Sequence, residues 1–446
     1  MDRICLTLPT NRPCAATITA LGAEAAHAAE RFGVEVHLLV LDSAAPEAFA
    51  AHAAAAAACA GPGVVVHHLD EPAQRRFLEA VLDRAGLPDR DRLLDLLLPA
   101  ALSYGACTDR AFLLAAALGC RSVHRRDSDS RYQEHAGATV FPIRWELAAL
   151  GRTAGEAAGE VTRNALPAAD LAKPVVLAGA SFIGELSVDI AEIRRLDPAV
   201  YQEVVALWAP LDWSAEQKRA LVEESFTGAG TEPFTADDAL LAVVDPMRVD
   251  MCNVAFHRVH EEVPLPPATD TIGSDYFLLH LVQDAGLPGV QHNRHIVNYY
   301  TGERRTDAGF LAYQLRFAKF FLSMRYFNEI YRRMAAAGGA LLDERHHVRT
   351  GALVDLVRAS AGPDRTENLE RLDTIDRCYR QLGGRYAEFA EQLAGRREEL
   401  LDRAEADVED FARLIEAWAP LVRASRETGL PVRTASAPDR MPAGRG

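Results

Sequence analysis

No two cysteines stand in a C-x-x-C spacing, and no secretory leader precedes them. The seven cysteines (Cys5, Cys14, Cys59, Cys107, Cys120, Cys252 and Cys378) are odd in number and scattered. That argues against a disulfide framework or a structural zinc site and points to a reducing cytoplasm. Long apolar runs are also missing. The stretch from Met1 to Pro9 is too short for a signal peptide, and the run from Phe49 to Ala60 is alanine-dominated and interrupted by His52, so neither spans a membrane. An excess of positive charge is absent as well. The net charge is -15 at pH 7, which disfavours duplex nucleic acid, whose phosphates are bound by clustered Lys and Arg. There is no internal repeat.

What is present is an ordinary globular balance: 446 residues, 49% hydrophobic and 25% charged, enough for one or two substantial cores. The first third alternates β-branched runs with alanine-rich helical ones, the pattern of βαβ units and a mostly parallel sheet. Strands are predicted at Ile4 to Leu8, Val34 to Leu41, Val64 to Leu69 and Arg121 to Arg125, with helices at Cys14 to Phe32, Gln74 to Arg84 and Thr108 to Leu118. Further on come a strand at Pro174 to Ala178, a helix at Ser214 to Phe226 and a strand at Met251 to Phe256. A helix at Tyr276 to Ala285 is stopped by Gly286 and Pro288, and a strand follows at Val290 to Tyr300. From about Gly309 the chain reads as helical, with breaks near Gly338-Gly339 and Gly362-Pro363. Residues 429–446 mix Pro, Gly, Ser and Arg and are predicted to be a disordered tail.

Ligands in open parallel sheets sit beyond the carboxyl ends of the strands. The segment His124-Arg125-Arg126-Asp127-Ser128-Asp129-Ser130 falls at such an end. Two acids one residue apart can share a hard cation, which prefers oxygen ligands and leaves positions open for phosphate oxygens. The plain alternative is a solvated turn, since Asp and Ser favour turns. Arg12, after the first strand, suits a phosphate or ribose edge, although Thr10, Asn11 and Arg12 could be only a turn. Ser274 and Asp275 open a helix and are good N-caps. Among other clusters, His67-His68 and His346-His347 have no evident ligand set. The run from Arg396 to Arg403 carries the charge spacing of an exposed helix face. The helix bearing Arg316, Phe317, Phe320, Phe321, Arg325, Tyr326 and Tyr331 is expected to pack on the first domain and border its pocket.

Several of these segments, in order, resemble the GT-A glycosyltransferases of the large inverting family-2 type. Leu6-Thr7-Leu8-Pro9-Thr10-Asn11-Arg12 resembles the family's first strand and Pro-Thr-x-Asn-Arg turn. Leu39-Val40-Leu41-Asp42-Ser43 resembles the second strand ending in an Asp that grips the nucleoside base. Ala106-Cys107-Thr108-Asp109-Arg110, a helix, and Asp127-Ser128-Asp129 resemble the Ala-Arg-Asn helix leading to D-x-D. Asn253-Val254-Ala255-Phe256 and Gly273-Ser274-Asp275-Tyr276-Phe277 resemble the acceptor half, with Phe277 in place of the family's second acid.

The resemblance implies a GT-A, Rossmann-like catalytic domain over residues 1–305, with a nucleotide-sugar half at about 1–140 and an acceptor half at about 245–305. A helical C-terminal extension occupies 306–428. It further implies nucleotide-sugar binding by Pro9, Thr10, Asn11, Arg12, Asp42, Asp109, Asp127 and Ser128. A divalent Mn or Mg ion would sit on Asp127 and Asp129, with His295 as third ligand and His292 as its alternative. Asp275 would be the base that deprotonates a small-molecule acceptor, giving inversion. Against these stand a turn role for Asp42, a cap role for Asp275 and a structural role for either His. Arg304 and Arg305 could close over a leaving diphosphate. The alanine- and arginine-rich composition suits a high-GC bacterial gene and a soluble enzyme of natural-product chemistry; whether it forms a homo-oligomer is left open. A nucleotidyltransferase would carry a Gly-rich loop after the first strand, and Pro9-Thr10-Asn11-Arg12-Pro13 has no glycine. A catalytically silent nucleotide-sugar binding protein is the other alternative.

Overall fold

In the computed structural model, which describes residues 1–430 apart from 187, 189, 300–305 and 363, nine strands form one sheet. They are β1 (Arg3–Thr10), β2 (Glu35–Asp42), β3 (Val64–Asp70), β4 (Ser122–Arg126), β5 (Arg163–Asn164), β6 (Leu177–Gly179), β7 (Ala239–Ala242), β8 (Asn253–His257) and β9 (Gly289–His292). Their order across the sheet is β3-β2-β1-β4-β8-β6-β9-β7-β5. The first four are mutually parallel, β8 runs antiparallel between β4 and β6, and β9 is again parallel to β6. The sheet is therefore parallel in its first half and mixed beyond it.

The continuous apolar runs of β1 and β2 follow from coverage on both faces. Ile4, Leu6 and Leu8 of β1 and Val36, Leu38 and Val40 of β2 point to one core, shared with Ile18, Leu21 and Ala25 of helix α1 (Ala15–Phe32). Cys5, Leu39 and Leu41 point to the other, shared with Phe77 and Leu78 of α2 (Glu71–Ala85) and Phe112 of α3 (Tyr104–Ala117). The run predicted only as alanine-rich is itself a helix, Pro46–Ala58, with Pro at its start, as alanine's helix propensity favours.

The helical region is not an appendage. Helix α4 (Phe277–Asp284) leads into the second half of the site, and α5 (Asp307–Ala337) packs against it. The last helix, α6 (Arg397–Thr428), returns to lie on α2 and α3. Phe411 and Trp418 of α6 belong to the same core as Cys5 and Phe112, and Trp418 Nε1 donates to the His260 carbonyl at 3.0 Å. The strand predicted at Val290 to Tyr300 is two: after β9 the chain leaves the main sheet, and Ile296–Asn298 joins a small sheet with Phe182–Gly184 and Ser130–Arg131. The tail expected from residue 429 lies outside the described residues from 431 onward.

Candidate functional site

The chain runs outward from β1 to β3 and returns to β4 on the other side of β1. The crevice beyond the carboxyl ends of β1 and β4 is thus the topological switch point, where open α/β sheets bind ligands. Arg12, just after β1, donates from Nη1 to Asp129 Oδ2 at 2.8 Å across that crevice. Thr10 Oγ1 accepts from the Arg12 backbone N–H at 3.3 Å and shapes the turn. On the other side, Thr17 Oγ1 donates to the Ser128 carbonyl, and Ser130 N–H donates to the Asp127 carbonyl, closing the Asp127-Ser128-Asp129 turn.

Arg125, at the end of β4, is buried and bridges two acids. Its Nη1 donates to Asp275 Oδ2 at 2.6 Å and its Nη2 lies 3.2 Å from Asp127 Oδ1. Asp275 is brought there by a short 3-10 turn, Ser274–Tyr276, entered through Gly273. Gly273 has φ +73°, and a Cβ there would stand 2.9 Å from the Phe320 ring, so both backbone and space call for glycine. Asp275 caps no helix: neither the turn nor α4 has a side-chain cap. The capping role open to it in the sequence is replaced by an ion pair.

The sequence did not single out Asp250. Its Oδ2 accepts from the Tyr276 hydroxyl at 2.5 Å and its Oδ1 from Cys252 N–H at 2.9 Å. Burial and the neighbouring acids hold the Tyr276 hydroxyl well above its usual range, so it stays a donor. Asp127, Asp129, Asp250 and Asp275, with Arg125, line one cavity of about 190 Å³ whose remaining wall includes Phe182, Trp208, Phe226 and Phe320. Burial, then the charges of Asp129, Asp275 and Asp250, outweigh Arg125 and push the Asp127 carboxyl up to about 6. Such a surplus of negative oxygens fits a hard divalent cation, which would relieve it.

Other expected residues are placed elsewhere. Asp109 is fully buried, and its Oδ1 accepts from Leu265 N–H at 2.8 Å. It lies two residues from Cys107, near the opposite side of α3, and Cys107 is the one that feels Arg125, Asp127 and Asp275. Asp109 is therefore a structural residue and not a nucleotide contact. Asn11 is exposed, Pro9 is half-buried at the strand end, and Ser128 contributes its carbonyl to the turn. Tyr299 lies under the Arg131 guanidinium, and Tyr300, Arg304 and Arg305 fall outside the described residues.

His295 is not a third ligand in this arrangement. Its Nδ1 accepts from Ser181 N–H at 3.2 Å, which leaves the proton on Nε2 of the neutral ring. His292 is buried, and burial lowers it to about 3. Among the described residues, the one trio of acids, His or Cys whose ligand atoms converge within 4.8 Å is Asp42, His52 and His68.

That trio is a hydrogen-bonded lock. Asp42 Oδ2 accepts from His52 Nδ1 and from His68 Nε2, each at 2.7 Å, and Oδ1 accepts from Ala44 N–H at 2.8 Å. His52 Nε2 in turn accepts from Cys14 N–H at 2.9 Å. A metal on His52 Nδ1 would force a proton onto Nε2, facing that N–H, so the tautomer opposes metal binding. Burial alone would raise Asp42; hydrogen bonds from His68, Ala44 and His52 outweigh it and hold the carboxyl below its usual value. Asp42, expected to grip a nucleoside base, is thus turned inward and fully engaged. What faces outward beside it is Phe49 stacked on His68, centroids 4.3 Å apart.

The fold and this site define an α/β protein with a carboxylate-rich cavity at the switch point of its parallel strands. The chain belongs to a family of unknown function, DUF6271, whose model matches residues 2–434. None of the curated proteins matches it.

Proposed function

We propose that the protein is a metal-dependent glycosyltransferase of the GT-A type, moving a sugar from a nucleotide-sugar to a small-molecule acceptor. One observation carries the reading: acids from three separate stretches of chain, Asp127 with Asp129, Asp250 and Asp275, converge with Arg125 at the mouth of the switch-point crevice. Asp127 and Asp129 would hold Mn or Mg, which supplies charge neutralisation for the donor diphosphate. Arg12 orients Asp129 and stands at the crevice edge facing an anionic ligand. Arg125 holds Asp275 in place at the cavity wall. Asp275 then takes the proton from the acceptor hydroxyl or amine as that atom attacks the anomeric carbon and the diphosphate leaves. No helix among the described residues is long and apolar enough to cross a membrane, in keeping with a small acceptor.

Incubation with a panel of nucleotide-sugars in Mn or Mg tests the reading. Release of nucleoside diphosphate supports it. Release of a sugar phosphate indicates attack on the α-phosphate, as in nucleotidyl transfer, and tight binding without turnover indicates a silent binding protein; either result overturns it.

A further inference from the structure

A second cavity, about 860 Å³, adjoins the first and shares Trp208, Met247, His280, Met324 and Tyr331 with it. Its wall holds an acid that has no counter-charge among the described residues. Asp284 lies one turn after His280 on α4, and its Oδ2 is buried without a hydrogen-bond partner. The guanidiniums that line the same cavity are engaged elsewhere: Arg332 with Glu329, and Arg325 with the Ser360 carbonyl and the Tyr326 ring. Burial pushes the Asp284 carboxyl up to about 7, and its charge adds to burial in raising the Tyr331 hydroxyl. Next to it, His280 stacks on Tyr331 with centroids 3.8 Å apart and planes at 14°. Burial lowers His280 to about 4, so this ring is a neutral aromatic face and not a partner charge.

A half-buried carboxylate without a partner is costly to keep in a fold. Set beside aromatic faces in an open cavity, it is matched by an organic ammonium, whose N–H groups meet the carboxylate while its carbon skeleton covers the rings. A hard metal ion is a poorer match, because it asks for several oxygens where the wall is aromatic. We infer that the outer cavity binds an amine-bearing, partly apolar molecule, with its ammonium on Asp284 and its apolar part against Trp208 and the His280–Tyr331 pair. Binding itself stands apart from the transferase reading. Only the ligand's role rests on that reading: an acceptor anchored at Asp284 would present its far end to the acids of the inner cavity.

Calorimetric titration of the full chain at pH 8 with 2-phenylethylammonium chloride, and separately with 2-phenylethanol, tests the site. The ammonium should bind saturably, and the alcohol about tenfold or more weakly. Asp284→Asn should weaken the ammonium by about the same factor and leave the alcohol unchanged; Asp284→Ala serves if the first variant does not fold, and the wild-type comparison needs neither. Equal binding of amine and alcohol, binding of neither, an unchanged amine affinity in the variants, or displacement of the amine by equimolar Mg would each overturn the inference. A parallel titration with nucleoside diphosphate and Mn separates the two ideas, since it reads the inner acids and not Asp284.

Discussion

Arg125 Nη1 and Asp275 Oδ2 meet at 2.6 Å although 150 residues separate them in the chain. Both side chains are nearly excluded from solvent, at 3% and 6% exposure. The pair fastens the end of a parallel strand to the turn that starts the second half of the site, so its two members should respond differently to mutation. Arg125→Ala strands Asp275 and Asp127 without their cation and should cost about 3–5 kcal/mol in urea unfolding. Asp275→Asn leaves Arg125 its contact with Asp127 and should cost less. Under the transferase reading it should nonetheless lower the transfer rate about a hundredfold or more. Wild-type turnover in Asp275→Asn would remove Asp275 as the base.

The metal clamp has its own test. Asp127 carries the surplus charge of the site and Asp129 is tied to Arg12. Asp127→Asn and Asp129→Ala should each weaken Mn-dependent binding of a nucleoside diphosphate by about tenfold or more, while metal-free binding changes little. Calorimetry with and without Mn reads both, and equal affinities for variants and wild type in Mn would end the clamp.

Asp284 also leaves a mark on stability. Its carboxyl titrates near about 7 in the fold and in the usual carboxylate range once unfolded, so between those values the folded state holds the extra proton. Stability from this group is full at low pH and is lost as pH rises toward 7. Asp284→Asn removes that loss. Its advantage over wild type in urea midpoint should be larger at pH 8 than at pH 5, and a constant difference would show that Asp284 is not the titrating group.

His260 gives the opposite slope. It is fully buried beside Phe112, neither ring nitrogen has a hydrogen-bond partner among the described residues, and burial lowers it to about 3. The unfolded chain therefore takes up a proton near the ordinary histidine range that the fold refuses until much lower pH, and stability falls with acidification through that window. His260→Leu keeps similar volume and removes the unmet polar atoms. We expect a gain of about 1–3 kcal/mol, growing from pH 8 to pH 5. Destabilisation at pH 8 would mean the imidazole is satisfied in a way its geometry does not indicate.

The first three strands were legible because helices cover both sheet faces and most buried positions are apolar, whereas in β4 Ser122, His124, Arg125 and Arg126 are all buried. The place of Asp127 and Asp129 at the cavity was legible because a strand end points to them. Asp250 was not: a single acid in a loop has no periodic signature, and only pairing of β8 with β4 and β6 carries it to the site. Asp109 was misread because a motif fixes spacing along α3 but not which side of the helix faces the cavity. The lock of Asp42, His52 and His68 left two traces, a histidine interrupting an alanine run and a His-His pair at a strand end. Nothing local says that they converge. Phe320 and Tyr331 of α5 do border the pocket, as the aromatic pattern of that helix suggested.

The return of α6 onto α2 and α3 has a consequence for how the protein is made. The apolar outer faces of α2 and α3 leave the ribosome well before the helix that covers them, which begins only at Arg397. At ordinary synthesis rates the wait is on the order of tens of seconds. A chain cut after Arg396 should accordingly be far less soluble than the full chain, and equal solubility would show the early half to be self-sufficient. Through that interval the nascent protein carries a sticky surface that α6 is shaped to close.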